Sequence, residues 1–206
     1  MKRVIDPITI QRNIDFFNEI HDRFPDSNHR SLHYNTAENQ VTRFIVLTQI
    51  GELNESSILD YGCGLGDLSY LLDKWAPTCS YEGWDINPGY IQKARQKYPR
   101  HLFELIKPYQ DSTWVKKFDW VLVGGVFNFN LGSEELIWDN LTTHIERLWS
   151  LCEKGLAFNL LTEVKHSPNI CQHDVIKVYQ FCKSLSSKVT LREDYFTHDA
   201  TLYVYR

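Results

Sequence analysis

No run of eighteen apolar residues occurs in this chain, so nothing in it reads as a membrane-spanning helix. Its opening, Met1 to Pro7, also lacks the apolar core of a secretory signal, and the two absences together predict a cytoplasmic protein. Cysteine is sparse and unpatterned. Cys63, Cys79, Cys152, Cys171 and Cys182 are odd in number and include no C-x-x-C pair, which suits reduced thiols and argues against disulfides or zinc. No metal site is expected. Basic residues never cluster beyond Lys116-Lys117, and a formal charge of −4 offers no electrostatic footprint for nucleic acid or a membrane surface. Repeats, low-complexity tracts and linkers are absent as well. What remains is 206 residues, 14% of them aromatic, enough for one large α/β domain with a sizeable core or an aromatic-lined pocket.

The most informative segment is Ile58-Leu59-Asp60-Tyr61-Gly62-Cys63-Gly64-Leu65-Gly66, a short buried strand running into a glycine loop. Glycines at alternate positions let the backbone turn sharply and approach a ligand closely, and a helix N-terminus behind them offers free N–H groups. Leu68, Leu71, Leu72 and Trp75 follow at helical spacing, which supplies that helix. The loop differs from the dinucleotide pattern G-x-G-x-x-G, because Asp67 stands where that spacing wants glycine, and the Lys-Ser/Thr ending of a P-loop is missing. A second strand, Ser80 to Asp85, ends in an acid nineteen residues after Gly66. An acid there can accept both ribose hydroxyls, as in dinucleotide folds, so Asp85 by itself does not separate the cofactors. Asn87-Pro88 then caps a helix whose apolar face, Ile91, Ala94 and Tyr98, stops at Pro99. A glycine-rich strand-to-helix turn also occurs in α/β proteins without any ligand.

The remaining elements alternate as a doubly wound sheet should. Strands are expected at His101 to Glu104, Phe118 to Val123, Leu156 to Leu161, Val189 to Asp194 and Thr201 to Tyr205. Ser133 caps a helix that runs to Gly155, with Glu134 and Glu135 in its first turn and His144 on its inner face, and a last helix spans Val175 to Leu185. The final two strands are too close in sequence for a parallel crossover and must be antiparallel. Residues 1–50 read as a helical extension. Ile10, Ile14, Phe17, His21 and Phe24 share one face, and Val41, Phe44, Ile45 and Thr48 share another behind an Asn35–Glu38 capping box. His21 on that stripe is a structural residue.

With Asp60 ahead of its glycines, the segment 59–67 resembles motif I of the class I S-adenosylmethionine-dependent methyltransferases. Further similarity to small single-domain methyltransferases of bacterial polysaccharide and natural-product clusters runs through Gln40-x-x-Arg43-Phe44, Phe118 to Asn128, Phe158-Asn159 and Asp194-Tyr195 to Tyr205. The resemblance implies a Rossmann-like α/β fold in residues 51–206, a seven-stranded, mostly parallel sheet with an antiparallel last strand, and N-terminal helices as a lid. It implies S-adenosylmethionine as cofactor, held by Asp60, Gly62, Cys63, Gly64 and Gly66, with Asp85 on the ribose and Ile86 beside it. Glu104 stands where the family often has an acid near the adenine, without the aspartate that usually reinforces it. Arg43 can hold the cofactor's carboxylate, although a surface ion pair is the commoner fate of such a residue. The cysteine of the loop, Cys63, can equally just pack there.

Ligands in an open α/β sheet bind at the carboxyl ends of the strands, here the loops at 61–67, 85–88, 104–112, 124–132 and 161–173. The stretch Gly124 to Asn130 leaves the fourth strand where the family passes the transferable methyl group, so Phe127 can wall a methyl pocket and Asn128 can orient an acceptor. Equally, the glycines only release the strand and the asparagines cap a turn. The stretch departs from N-P-P-Tyr/Phe, which argues against methylation of nucleic-acid bases or glutamine. Candidate bases are His33, Tyr34, Glu163, His166 and His173, each by default a solvated loop residue. A small-molecule or sugar hydroxyl is the expected acceptor, then an amine. Rivals are a dehydrogenase, a non-catalytic S-adenosylmethionine-binding protein, and a protein or nucleic-acid methyltransferase.

Overall fold

The computed structural model describes residues 7–107, 115–164 and 167–206. Seven strands form one sheet in the order β3-β2-β1-β4-β5-β7-β6. The strands are β1 (Ser57–Tyr61), β2 (Ser80–Asp85), β3 (Leu102–Leu105), β4 (Phe118–Val123), β5 (Cys152–Leu161), β6 (Val189–Arg192) and β7 (Asp199–Tyr205). β7 runs antiparallel to both β5 and β6, as the short final connection requires, and the pairs among β1 to β5 are parallel. Chain order reverses between β1 and β4, and such a reversal opens a crevice at the carboxyl edge of the sheet.

Both faces of the sheet are covered, which is why β1 and β4 are apolar almost throughout. On one face pack α3 (Ala37–Thr48), α4 (Asp67–Trp75) and α5 (Pro88–Lys97), through Leu47, Leu68, Leu72, Ile91 and Ala94. On the other lie α6 (Glu134–Leu151) and α7 (Val175–Leu185), through Leu141, Ile145, Leu148, Val178 and Cys182. α1 (Pro7–Arg23) and the one-turn α2 (Asn28–Ser31) lie outside these layers and are tied to the carboxyl edge. The Tyr90 hydroxyl on α5 sits 2.9 Å from the Phe17 and Ser31 carbonyl oxygens, and Asn87 Nδ2 donates to Asn18 Oδ1 at 2.9 Å. His21 is built into that packing, with Ser31 Oγ 3.1 Å from its Nδ1.

Several boundaries differ from expectation, β7 for instance beginning at Asp199 and not Thr201, and three have a local cause. α6 ends at Leu151 and the chain passes directly into β5, so Gly155 lies inside a strand instead of ending a helix. It is glycine because two neighbours approach there: a Cβ would stand 2.8 Å from the Val204 carbonyl oxygen and 3.0 Å from the Trp120 ring. α3 is capped by Thr36, whose hydroxyl accepts from Asn39 N, and not by Asn35. β6 stops at Arg192, two residues early, because Arg192 and Asp194 pair with each other beyond the ladder.

Candidate active site

The glycine loop is held by the strand beside it. Gly62 and Cys63 donate to the Trp84 carbonyl oxygen at 2.7 and 3.0 Å, and Gly64 donates to Asp85 Oδ2 at 2.8 Å. Gly62, Gly64 and Gly66 all adopt positive φ (78, 54 and 80°), a conformation that side chains with a Cβ resist. Asp85 therefore has a structural duty besides any ligand: its second oxygen accepts from Asn87 N at 2.8 Å, which sets the start of α5. Burial raises its pKa, against the lowering effect of those N–H groups.

Asp60 is buried at the end of β1, where the Tyr81 hydroxyl donates to its Oδ2 at 2.7 Å. Burial pushes its pKa up to about 7; the Tyr81 bond opposes the rise, and the nearby Asp85 and Asp67 carboxylates add to it. Among the described residues it has no ion-pair partner. A cavity of about 600 Å³ opens over Asp60, Gly62, Cys63, Gly64, Asp85 and Ile86 and continues past Gly124, Gly125 and Asn128 to the loops after β5 and β6. Its roof is the N-terminal segment. Leu32 lies so close over the loop that a Cβ on Gly64 would meet its Cδ2 at 2.7 Å, and the Tyr34 hydroxyl lies 3.8 and 3.7 Å from where Gly124 and Gly125 would carry theirs. Asp67, the residue that breaks the dinucleotide spacing, helps to hold that roof: it accepts from Asn28 Nδ2 at 2.8 Å and Gln40 Nε2 at 3.3 Å, and pairs with Lys97 at 2.7 Å.

The expected site residues divide in an instructive way. His33, Tyr34, Arg43 and Asn128 line the same cavity as the loop and Asp85, although they arrive from different elements. Gly66 does not line it; its Cβ position faces the Phe103 ring at 2.8 Å, so this glycine serves the packing of α4. Glu104 is exposed on β3 and outside the cavity wall, where Ile106 stands instead. His166 lies outside the described residues. Cys63 is buried with its thiol pushed well up by burial, in keeping with a packing role. Asn128 Oδ1 accepts from Leu161 N at 3.0 Å and its carbonyl from Cys171 N at 2.8 Å, so it pins the loop after β5 to the loop after β4. Phe127 packs inward against Phe158 rather than walling the cavity. Its carbonyl oxygen accepts from His173, which is committed there.

Electrostatics separate the candidate bases. Burial pushes the Tyr34 phenol up to about 12, with Arg43 pulling the other way, so at neutral pH it is a hydrogen-bond donor. His33 retains accessible surface at a positive φ of 63°, yet partial burial beside the Phe16 ring lowers its pKa and keeps it neutral. Arg43 is not at the surface: its Nε donates to Asp199 Oδ1 at 3.0 Å and both groups are buried. Cavity-lining polar residues that sequence reasoning did not propose for the site include His144, Asn159 and His198. His144 looks like one more inward position of an amphipathic helix, but it reaches the cavity between Tyr61 and Phe127, with its pKa lowered to about 4 by burial. Asn159 and His198 lie in or beside ordinary strands. Among the described residues no group of three or more His, Cys, Asp or Glu is placed to hold a metal ion, and no helix is long and apolar enough to cross a membrane.

Residues 53–141 match a family model described as a methyltransferase domain. A ribosomal protein L11 methyltransferase from Paraburkholderia phytofirmans is 36% identical over 74 residues, 36% of this chain, and the match spans only 24% of that protein. Among solved structures, magnesium protoporphyrin IX methyltransferase from Synechocystis PCC 6803 with bound SAH superposes at a TM-score of 0.68 and 18% identity, over 96% of this chain and 99% of that one. The plantazolicin methyltransferase BpumL, in complex with a triazolic desmethylPZN analog and SAH, superposes at a TM-score of 0.63 and 14% identity, over 98% of this chain and 99% of that one. The chain has the class I S-adenosylmethionine-dependent methyltransferase fold.

Proposed function

We propose, from the methyltransferase fold this chain carries, that it moves a methyl group from S-adenosylmethionine to a hydroxyl or amine of a small molecule or sugar. The observation that carries the reading is that one cavity beneath the N-terminal segment extends from the glycine loop to the loops after β4, β5 and β6. A cofactor alone needs only the first part. The residues present fit that cofactor. Asp60 is a buried carboxyl group with no cation beside it among the described residues, suited to the cofactor's ammonium, and Asp85 keeps lone pairs for ribose hydroxyls. Ile86 and Ile106 offer apolar walls to a base, and Arg43 keeps guanidinium N–H groups beyond those given to Asp199 for a carboxylate.

When bound, the cofactor would supply an electrophilic methyl group on a sulfonium, which the acceptor's lone pair attacks in line as the S–CH3 bond breaks and the neutral thioether, S-adenosylhomocysteine, leaves. The protein's part is then chiefly to position the two reactants and exclude water. Gly124 and Gly125 leave room beside β4 for the approach, and the Tyr34 hydroxyl above them orients an acceptor heteroatom as a donor. Where the acceptor begins protonated, the neutral His33 imidazole takes its proton. Phe129, Leu131, Leu161 and Ile170 add apolar surface to the cavity lining on the side of the loops after β4 and β5, which suits an acceptor with a hydrophobic body. The methyltransferases of similar fold that act on a porphyrin and on plantazolicin point to the same substrate class.

Calorimetry with S-adenosylmethionine, S-adenosylhomocysteine and NAD tests the first half: the first two should bind and NAD should not. A panel of sugar and small-molecule hydroxyls and amines, followed by appearance of S-adenosylhomocysteine, tests the second. Binding without conversion of any acceptor would instead favour a non-catalytic role, and binding of NAD alone would overturn the reading.

A further inference from the structure

One buried chain of hydrogen bonds joins the N-terminal segment to the loop after β4. Asp199 opens β7 and is 1% exposed. Its Oδ1 accepts from Arg43 Nε at 3.0 Å and from Asn159 Nδ2 at 3.2 Å, and its Oδ2 accepts from Arg43 Nη2 at 2.5 Å. Asn159, in β5 and also 1% exposed, accepts the Gly125 N–H on its Oδ1 at 2.7 Å. The amide orientation follows from its partners, since the carboxylate can only accept and the Gly125 N–H can only donate. The Arg43 guanidinium carbon in turn lies over the Tyr34 and Phe196 rings, 5.3 and 5.6 Å from their centres. The two ends of the relay meet again in the cavity, where the Tyr34 hydroxyl stands over Gly124 and Gly125.

We propose that Asp199 and Asn159 are positioning residues, which through this relay set the Tyr34 hydroxyl and the Gly125 amide together, so that roof and methyl-side loop take their working geometry as one unit. The inference rests on the methyl-transfer reading above. Asp199 does not line the cavity; its oxygens accept from Arg43 and Asn159, with His198 Nε2 3.7 Å from Oδ2, and its hydrogen-bonded route to the roof and the methyl-side loop runs through Arg43 and Asn159. A buried ion pair of this kind is a poor source of stability compared with apolar packing, but it is demanding in geometry, because a guanidinium fork and a carboxylate meet in few arrangements. That property suits a part that must hold two loops in register.

S-adenosylmethionine and S-adenosylhomocysteine differ only in the methyl group and its charge, so the ratio of their affinities reads the surroundings of the methyl. Calorimetry on Asn159→Leu should leave S-adenosylhomocysteine affinity within about threefold of wild type while changing that ratio by about fivefold or more. Arg43→Lys, which keeps a charge for Asp199 but loses the fork, should change the ratio in the same direction and serves if Asn159→Leu does not fold. Tyr34→Phe should change the ratio in the wild type and add less than about twofold in either variant, because one relay carries both effects. A role confined to stability would lower the melting temperature and leave the ratio within about twofold, or leave Tyr34→Phe its full effect, and either result overturns the proposal. If the wild type binds neither ligand, the methyl-transfer reading itself fails and takes this inference with it.

Discussion

With Asp60 proposed to hold the cofactor's ammonium, cofactor affinity should depend on pH in a calculable way. In the empty protein burial holds its pKa near 7, so below neutral pH its carboxyl is largely protonated. Pairing with the cofactor's ammonium favours the ionised form, and binding must then displace that proton. With a bound-state pKa below about 5, affinity falls tenfold for each pH unit well below 7, which between pH 7.0 and 5.5 amounts to about 15-fold, or ~1.6 kcal/mol. The cofactor's own α-amino group, with an ordinary pKa of about 7.7–8.0, stays mostly charged over that interval and does not mask the effect. Calorimetry with S-adenosylhomocysteine at four pH values measures it, and Asp60→Asn supplies the control. The variant should bind weakly and with little pH dependence, which separates Asp60 from Asp85, whose pKa is raised as well. Folding carries the opposite sign. A carboxyl whose folded pKa exceeds its unfolded one favours the folded state below the unfolded value, and that contribution is lost as pH rises through about 7. At pH 8 the buried charge therefore costs the empty protein about 4 kcal/mol, and Asp60→Asn, which can still accept the Tyr81 hydroxyl, should melt several degrees higher. Affinity that is flat from pH 7.0 to 5.5, or an Asn variant as tight and as pH-dependent as wild type, would refute the pairing.

Asp85→Ala should weaken S-adenosylhomocysteine binding by about 1.5–3 kcal/mol and also lower the melting temperature, since the Gly64 and Asn87 N–H groups lose their acceptor. Gly64→Val should lower affinity by at least ~10-fold in calorimetry, because it forces a β-branched residue into positive φ against Leu32. Asn128→Ala should reduce turnover more than it reduces cofactor affinity, as the loop after β5 loses its anchor on Leu161 N; equal losses in both would contradict that assignment. Deleting residues 1–35 removes Leu32 and Tyr34 while Asp60, the glycine loop and Asp85 remain, so turnover should vanish with measurable S-adenosylhomocysteine binding retained. Full turnover in the truncated protein would make the segment structural only.

Local chemistry was enough for much of this protein. The strand, glycine loop and helix of 58–75, the acid at the end of β2, the Asn87-Pro88 cap and the antiparallel ending each depend on residues close in sequence, through periodicity, capping and loop length. Those signals identified the sheet, its carboxyl edge and the glycine-loop end of the cavity. Boundaries set by neighbours were different: Gly155 resembles a helix terminator until Val204 and Trp120 are seen to crowd it. The far side of the site was decided only by tertiary structure, because its parts meet across long separations. Arg43 and Asp199 are 156 residues apart, and nothing near either one announces the other. His144 sits on an apolar helical stripe that is indistinguishable in sequence from pure core, and becomes a cavity residue because α6 crosses beneath Tyr61 and Phe127. Asp60 and Asp85 are recognisable as acids from the sequence. Their protonation follows from burial, which no local pattern encodes.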